Sequence, residues 1–192
     1  MTFAESLTSF YMKRCFNGDR WADAILARAE TAAKNAFEDF CPRNPNRAQR
    51  SEWEKDLEAS TGALAVFWYR LGRELLGPEP QAAGIVHAIM KTTCACEIYF
   101  SNEIGTGFEV VHSVGLVIGS RNRIGTNFRI YQGATIGHRT AGEAGAMIGQ
   151  DVTVFAHAQV LGALRIGDGA TIGASSIVLR DVNAGETIKG VR

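Results

Sequence analysis

The chain has 192 residues, enough for one domain or two small ones. Its 20 basic and 20 acidic residues give a net charge of zero, which argues against a nucleic-acid-binding or polybasic membrane surface. No apolar run is long enough to span a bilayer, and residues 1–20 lack the apolar core of a signal peptide. The composition therefore favours a globular cytoplasmic protein whose partners are neither nucleic acid nor membrane.

The four cysteines show no spacing typical of a metal site. Cys94 and Cys96 lie two positions apart, which in a β-strand would place both side chains on one face. We expect reduced, buried thiols of a cytosolic protein, and no bound metal.

Residues 1–92 are expected to form a helical domain. The alanine-rich segment 21–37 carries apolar residues at helical spacing, and the Pro- and Asn-containing segment 41–46 interrupts that pattern. A second helical pattern runs from about residue 51 to 76 and stops at Gly77-Pro78-Glu79-Pro80. A third helix is predicted over residues 81–92.

Residues 93–192 are expected to form a second domain, because an isoleucine or valine recurs there with a period of six. The 13 positions are Ile98, Ile104, Val110, Ile118, Ile124, Ile130, Ile136, Ile148, Val154, Val160, Ile166, Ile172 and Val178. A six-residue period with a β-branched residue indicates a parallel β-helix, in which three units close a triangular coil and each coil hydrogen-bonds to the next. A β-sandwich is disfavoured, because two-residue alternation would not keep a six-residue phase across interruptions.

Apolar helices before a stack of coils with open ends favour an end cap and an oligomer contact. Seven of the repeating residues are followed directly by glycine. We expect glycine there because a side chain would clash where the backbone turns the corner.

The period is interrupted twice, and the chemistry is expected at the interruptions. The first, residues 110–119, contains two extra residues and places His112 in a tight corner near Gly115. Histidine is the side chain best suited to accept a proton near neutral pH, although the residues alone equally allow a histidine that only satisfies a corner hydrogen bond. The second interruption, residues 137–148, is rich in Gly and Ala and suits a loop that folds over a site.

Six segments of this chain resemble the serine acetyltransferase family of hexapeptide acyltransferases. They are residues 69–72, 97–98, 104–107, 112–119, 133–137 and 172–178. The specific part is His-x-x-Gly-x-x-Ile-Gly at the interrupted rung, since sugar acyltransferases and some non-enzymes share the plain repeat. The segments also resemble the shorter acetyltransferases of polysaccharide gene clusters. The resemblance covers about residues 68–190 and implies an α+β fold with a left-handed β-helix.

The resemblance also implies assembly as trimers or dimers of trimers, acetyl-CoA as co-substrate, no metal and no acyl-enzyme. His112 would be the general base that takes the proton from the acceptor hydroxyl. Glu97 stands where the family has an aspartate that orients this histidine. A carboxylate on one imidazole nitrogen fixes the tautomer and raises the basicity of the other, although Glu97 can instead be a solvated residue at the start of the coil.

Three departures concern the groups that hold the serine zwitterion in the family. Val111 stands where the family has an aspartate, and Ala144 and Gly145 stand at its arginine–histidine pair. Asn44 is the nearest counterpart of an aspartate in the helical domain. A zwitterion leaving water needs charged partners, so losing several of them weakens its binding.

The acceptor therefore stays open at the level of the sequence. Arg139 and Glu143 of the second interruption can replace the lost contacts to L-serine, which would place the chain in cysteine biosynthesis. Alternatively, the small-molecule acceptor is a hydroxyl of a sugar or specialised metabolite. A third reading is a non-catalytic β-helix scaffold.

The coenzyme is expected along the wall of the β-helix. Ala156, Gly162, Gly173 and Ala174 fall where the family uses small residues beside the pantetheine arm, although corner geometry alone also accounts for them. Thr171 matches a family lysine near the coenzyme's phosphate, so phosphate binding is assigned to Arg165 or Arg180. His138 and His157 receive no assignment.

Relatives in this family continue beyond the repeat into a tail that docks into cysteine synthase. The sequence here stops at Arg192. On that resemblance, a complex with cysteine synthase is not expected.

Overall fold

The computed structural model describes residues 1–15, 21–43, 45–47 and 49–190. Within these residues, five α-helices precede 14 short β-strands. The helices are α1 Phe3–Cys15, α2 Ala22–Phe40, α3 Arg50–Ala59, α4 Thr61–Leu76 and α5 Pro80–Cys94, and two 3-10 turns lie at Cys41–Arg43 and Pro45–Arg47. None of the described helices is long and apolar enough to cross a bilayer.

The strands form three parallel sheets, which are the three faces of a triangular prism. Face A consists of β1 Glu97–Ile98, β4 Val117–Ile118, β7 Thr135–Gly137, β10 Gln159–Leu161 and β13 Ile177–Val178. Face B consists of β2 Glu103–Ile104, β5 Arg123–Ile124, β8 Met147–Ile148 and β11 Arg165–Ile166. Face C consists of β3 Glu109–Val111, β6 Arg129–Tyr131, β9 Thr153–Val154, β12 Thr171–Ile172 and β14 Thr187–Ile188.

The interior of the prism is formed by the repeating Ile and Val residues. All 13 lie in strands and are buried, so the prediction of a parallel β-helix is confirmed, and the coil is left-handed. The chain turns at three corners per coil, named here A–B, B–C and C–A after the faces that they join.

Glycine follows the repeating residues because neighbouring coils pass very close to each other. A Cβ on Gly125 would lie 2.7 Å from the backbone nitrogen of Gln150. Gly125 does not have a positive φ; instead, non-glycine residues such as Asn127 and Asp151, each with φ 56°, carry the left-handed corner conformation. The glycine is therefore required for close approach rather than for its backbone freedom.

Two buried asparagines connect the coils at the A–B corner. The Oδ1 of Asn102 accepts hydrogen bonds from the backbone N–H and the Nδ2 of Asn122, both at 2.9 Å. The Oδ1 of Asn122 in turn accepts the N–H of Ala146 at 2.8 Å. This ladder satisfies backbone donors that the corner would otherwise leave buried without a partner.

The helical part departs from prediction in two places. The helix predicted over residues 51–76 is wrong as one element, because it breaks at Ser60 between α3 and α4. Ser60 has an extended backbone (φ −123°, ψ 116°), and its Oγ accepts the N–H of Ala63. Serine is a preferred N-cap, so Ser60 starts a new helix. Helix α1 was not predicted.

The cysteine expectation also needs a correction. Cys94 is the last residue of α5 and Cys96 precedes β1, so the two do not share a strand face. The helix ends between them at Ala95, which has a left-handed backbone (φ 50°). All four cysteines are free, and Cys94 and Cys96 are buried.

A buried ion pair docks the helices on the β-helix. Arg70 of α4 donates to Asp39 of α2 through Nε at 2.7 Å and Nη2 at 2.8 Å. Asp39 also accepts the N–H groups of residues 107 and 108, and Arg70 donates to the carbonyls of residues 104 and 105. The two parts of the chain also share one apolar core, and the boundary at residues 92/93 stays a prediction.

Candidate active site

His112 lies on an insertion at the C–A corner. Val111 pairs with Tyr131, and Val117 pairs with Thr135. The five residues between Val111 and Val117 therefore lie opposite only three residues of the next coil. The two extra residues force an additional left-handed turn at His112, whose φ is 56°. Histidine tolerates this conformation better than most residues, and the side chain is exposed.

The turn that carries His112 is fixed to the junction between α5 and β1. The buried Ser113 donates from Oγ to the carbonyl of Cys94 at 2.6 Å. The N–H of Gly115 donates to the carbonyl of Ala95 at 2.9 Å. His112 therefore has a defined position on the edge of the prism although its ring faces solvent.

Glu97, the predicted orienting carboxylate, lies at the start of the same junction. Its Oε1 is 2.6 Å from the ammonium of Lys91 and 3.8 Å from the Nε2 of His87. Among the residues that the structure describes, Glu97 forms no ion pair with His112. The orienting role stays a prediction, and in the structure this carboxylate bonds to Lys91 through Oε1.

The second interruption forms a loop at the A–B corner that Glu143 closes. The carboxylate of Glu143 accepts the N–H groups of Arg139 at 2.7 Å, Thr140 at 3.4 Å and Ala163 at 3.3 Å. The Arg139 N–H, together with those of Ala163 and Thr140, holds the pKa of Glu143 below its usual range. Arg139 and Glu143 both lie beside Gly162, whereas His112 is at the other corner of face A.

We expect Glu143→Gln to loosen this loop, because the amide would place a donor among N–H donors. Backbone hydrogen exchange at residues 139, 140 and 163 should become faster. In the wild type the carboxylate has a lowered pKa, so this protection is present above the usual glutamate pKa of about 4.3 and is lost as the pH falls through the lower folded value.

The control for this experiment is Glu186→Gln, which removes a similar carboxylate–backbone contact at Asn183. Its effect should be absent at residues 139, 140 and 163. Unchanged exchange in Glu143→Gln would show that Glu143 does not close the loop.

Among the acceptor positions, Val111 precedes His112 and is partly buried at the end of β3. A side chain at Gly145 would collide with the backbone of Arg121 and Asn122. The loop therefore has no room for a histidine at this position, where the family is expected to have one. Asn44 lies outside the described residues. The sequence departures noted above are thus accompanied by a loop backbone that excludes one of the missing groups.

The predicted coenzyme residues fall into two groups. Ala156 and Ala174 continue the register of Val154 with Ile172 and stack on the C–A corner above His112. Gly173 is on this corner too, but its lack of a side chain follows from coil packing, because a Cβ would lie 2.7 Å from the carbonyl of Ile188. Gly162 lies at the A–B corner, and the exposed Arg165 lies on face B.

Arg180 is engaged elsewhere. Its Nη2 lies 2.7 Å from Glu186, and the Arg180 guanidinium lowers the pKa of Glu186 to about 2. At neutral pH, Glu186 therefore competes with any phosphate for Arg180.

Sequence reasoning missed Lys189. The pairing of Ile172 with Ile188 places Lys189 beside Gly173, exposed on the same corner as Ala174. The last coil was not recognised, because Ile188 follows Ile172 by 16 residues where three regular units would need 18. The available signal in the sequence was that Val182 follows Ile166 by the same 16 residues, and these two residues form a parallel bridge in the structure.

The chain was compared with known proteins at three levels. No family model matches it. A serine acetyltransferase of Helicobacter pylori J99 is 34% identical over 148 residues, covering 76% of this chain and 86% of the relative. A serine acetyltransferase of Staphylococcus aureus MSSA476 is 36% identical over 170 residues, covering 87% of this chain and 76% of the relative.

Solved structures of serine acetyltransferases share the fold of this chain. Neisseria gonorrhoeae serine acetyltransferase in complex with serine superposes with a TM-score of 0.80 at 24% identity, covering 100% of this chain and 83% of that one. Brucella abortus serine acetyltransferase in complex with coenzyme A superposes with a TM-score of 0.76 at 21% identity, covering 100% of this chain and 80% of that one. With relatives at 34–36% identity over most of both sequences, this chain belongs to the serine acetyltransferase family of O-acetyltransferases.

Proposed function

We propose that this chain transfers the acetyl group of acetyl-CoA to the hydroxyl of L-serine. The observation that carries the proposal is the exposed imidazole of His112, held on an anchored insertion at the corner where Ala156 and Ala174 stack. The naming of the relatives as serine acetyltransferases supports the reaction. Neighbours solved with serine and with coenzyme A support the two substrates.

In the proposed mechanism, His112 accepts the hydroxyl proton while the serine oxygen attacks the thioester carbonyl. A bond forms between that oxygen and the carbonyl carbon, and the carbon–sulfur bond breaks. The coenzyme leaves as a thiolate, which takes the proton from the His112 imidazolium and so returns the base to its neutral form. General-base catalysis of this kind contributes about 10²–10⁴ in rate. Backbone N–H groups near the corner would stabilise the developing oxyanion.

The residues at the C–A corner fit the coenzyme. Ala156 is partly buried and Ala174 is exposed, and neither extends a long side chain across the edge along which a pantetheine arm would run. Lys189 adds an exposed ammonium on the same edge, which suits a phosphate group.

A homotrimer would bring the two groups of predicted residues together. Face A separates the C–A corner from the A–B corner. Ile177 on this face is 62% exposed, and Leu179, directly after its last strand, is 53% exposed. Val114, on the His112 turn, is 62% exposed. Burying these apolar side chains against a second copy is favourable. Packing through face A would place His112 of one protomer opposite Arg139 and Gly162 of the next, whether trimers stay single or pair through the helices.

The acceptor assay tests the proposal. Purified protein with acetyl-CoA and L-serine is expected to release free coenzyme A, followed with a thiol reagent, and omitting either substrate should abolish the signal. L-Serine methyl ester and N-acetyl-L-serine should be poor acceptors, because each lacks one charge of the zwitterion. No release with L-serine, under conditions where another hydroxyl compound is acetylated, would contradict the serine assignment.

A second candidate is an uncharged hydroxyl acceptor such as a sugar. It is favoured by Val111 beside the base, by the absence of room for a side chain at Gly145, and by the engagement of Glu143 with backbone N–H groups. In the same assay this candidate predicts turnover with the sugar and none with L-serine.

A further inference from the structure

The carboxylate of Glu97 is held by a cluster that the proposed mechanism does not explain. Lys91, on the last turn of α5, donates to Oε1 of Glu97 at 2.6 Å. His87, one turn earlier on the same helix, places its Nε2 3.8 Å from the same oxygen. That Nε2 is buried and has no hydrogen-bond partner among the described residues.

Lys91 is the cation of this cluster at neutral pH. The hydrogen bond to Glu97 raises the pKa of Lys91, whereas burial lowers the pKa of His87. The thiol of Cys96 also faces Glu97, and its hydrogen bond with Cys94, burial and the charge of Glu97 raise the pKa of that thiol. The ring of Tyr99 packs against His87 on the other side of the cluster.

The same carboxylate stands next to the turn that carries His112. The carbonyl of Ala95, two residues before Glu97, accepts the N–H of Gly115, three residues after His112. The N–H of Glu97 donates to the carbonyl of Leu116 at 2.9 Å. The side chains of Glu97 and His112 therefore arise from adjoining stretches of backbone.

We propose that Lys91 is a positioning residue that holds the Glu97 carboxylate away from His112 until the carboxylate exchanges the ammonium for the imidazole. This inference rests on the proposed function, in which His112 is the base. A carboxylate that bonds to the imidazole raises its basicity, so Lys91 limits the rate in proportion to how firmly it holds Glu97.

The first test is the kinetics of Lys91→Met. Freed from the ammonium, the carboxylate can reach His112, and we expect kcat to rise roughly threefold to tenfold with little change in KM. The rise should disappear in the Lys91→Met/Glu97→Gln double variant, and Lys91→Arg should stay near the wild type. Lys91 is 48% exposed, so its replacement is expected to leave folding intact.

The matched control is Lys55→Met. Lys55 donates to Glu52 at 2.6 Å, the same distance as in the Lys91–Glu97 pair, and both residues of this control pair lie on α3. Lys55→Met removes the same charge and a hydrogen bond of the same length, but it leaves the Lys91–Glu97 pair in place. We therefore expect kcat to be unchanged. A similar rise in both variants would overturn the proposal, because the effect would then come from net charge.

The second test does not depend on acetyl transfer. The reaction of His112 with diethyl pyrocarbonate at fixed pH, followed by peptide mass spectrometry, reports the nucleophilicity of its imidazole. We expect a faster reaction in Lys91→Met and the Glu97→Gln rate in the double variant. Equal rates in wild type and Lys91→Met would overturn the proposal for any acceptor. An increase that persists without the Glu97 carboxylate would also overturn it.

Discussion

His112→Asn is expected to lower kcat by about 10²–10⁴ and to leave the fold intact. Asparagine cannot act as a base near neutral pH, but it tolerates the left-handed backbone that His112 adopts at φ 56°. Alanine would combine the loss of the imidazole with backbone strain at this position. Coenzyme A release at saturating acetyl-CoA and acceptor measures the effect, and the urea midpoint measures the fold.

His157→Asn is the matched control for this prediction. His157 also lies at the C–A corner, is exposed, and has a left-handed backbone with φ 60°. We expect it to keep the wild-type kcat. Unchanged turnover in His112→Asn, or an equal loss in both variants, would rule out His112 as the base.

Asp39→Ala should reduce the free energy of unfolding by about 3–5 kcal/mol, the largest stability effect expected in this chain. Asp39 is 2% exposed and Arg70 is 14% exposed, so removing the carboxylate leaves a buried guanidinium without its counter-ion. It also removes the acceptor of two N–H groups, at residues 107 and 108. Burial raises the pKa of Asp39, and the bonds from Arg70 and these N–H groups oppose that rise.

Urea unfolding of Asp39→Ala and Asp39→Asn measures this loss, and the amide keeps the shape of the carboxylate without its charge. Glu103→Gln is the control, because Glu103 and Arg123 form an exposed pair on face B, 62% and 71% exposed. Exposed pairs contribute roughly 0–1 kcal/mol. A loss in Asp39→Ala as small as that of the control would contradict the claim that this pair docks the helices.

The β-helix could be predicted because its cause is local and repeated. Each coil needs a β-branched residue at the same place on each face, and the next coil repeats the requirement. Helix α1 gave a weaker signal, because its buried positions Ala4, Thr8 and Met12 have helical spacing but include a polar and a small residue. The break at Ser60 was hidden since both flanking segments are helical, and only the cap geometry separates them.

At the candidate site, the position of the insertion was predictable for the same reason. The interruption of the period predicted that His112 lies at a corner, because an insertion there changes the spacing that the sequence displays. The partner of Glu97 was not predictable, since it depends on how α5 packs beside β1 and brings Lys91 within reach. The Asp39–Arg70 pair, with partners 31 residues apart, left no sequence pattern at all.

The proposed mechanism requires His112 to lie beside the coenzyme at the C–A corner. A crystal structure of this protein with bound coenzyme A would show whether it does. We expect the pantetheine arm to lie along Ala156 and Ala174, with its sulfur next to the His112 imidazole. A coenzyme bound along face B, around Arg123 and Arg165 and remote from His112, would contradict it.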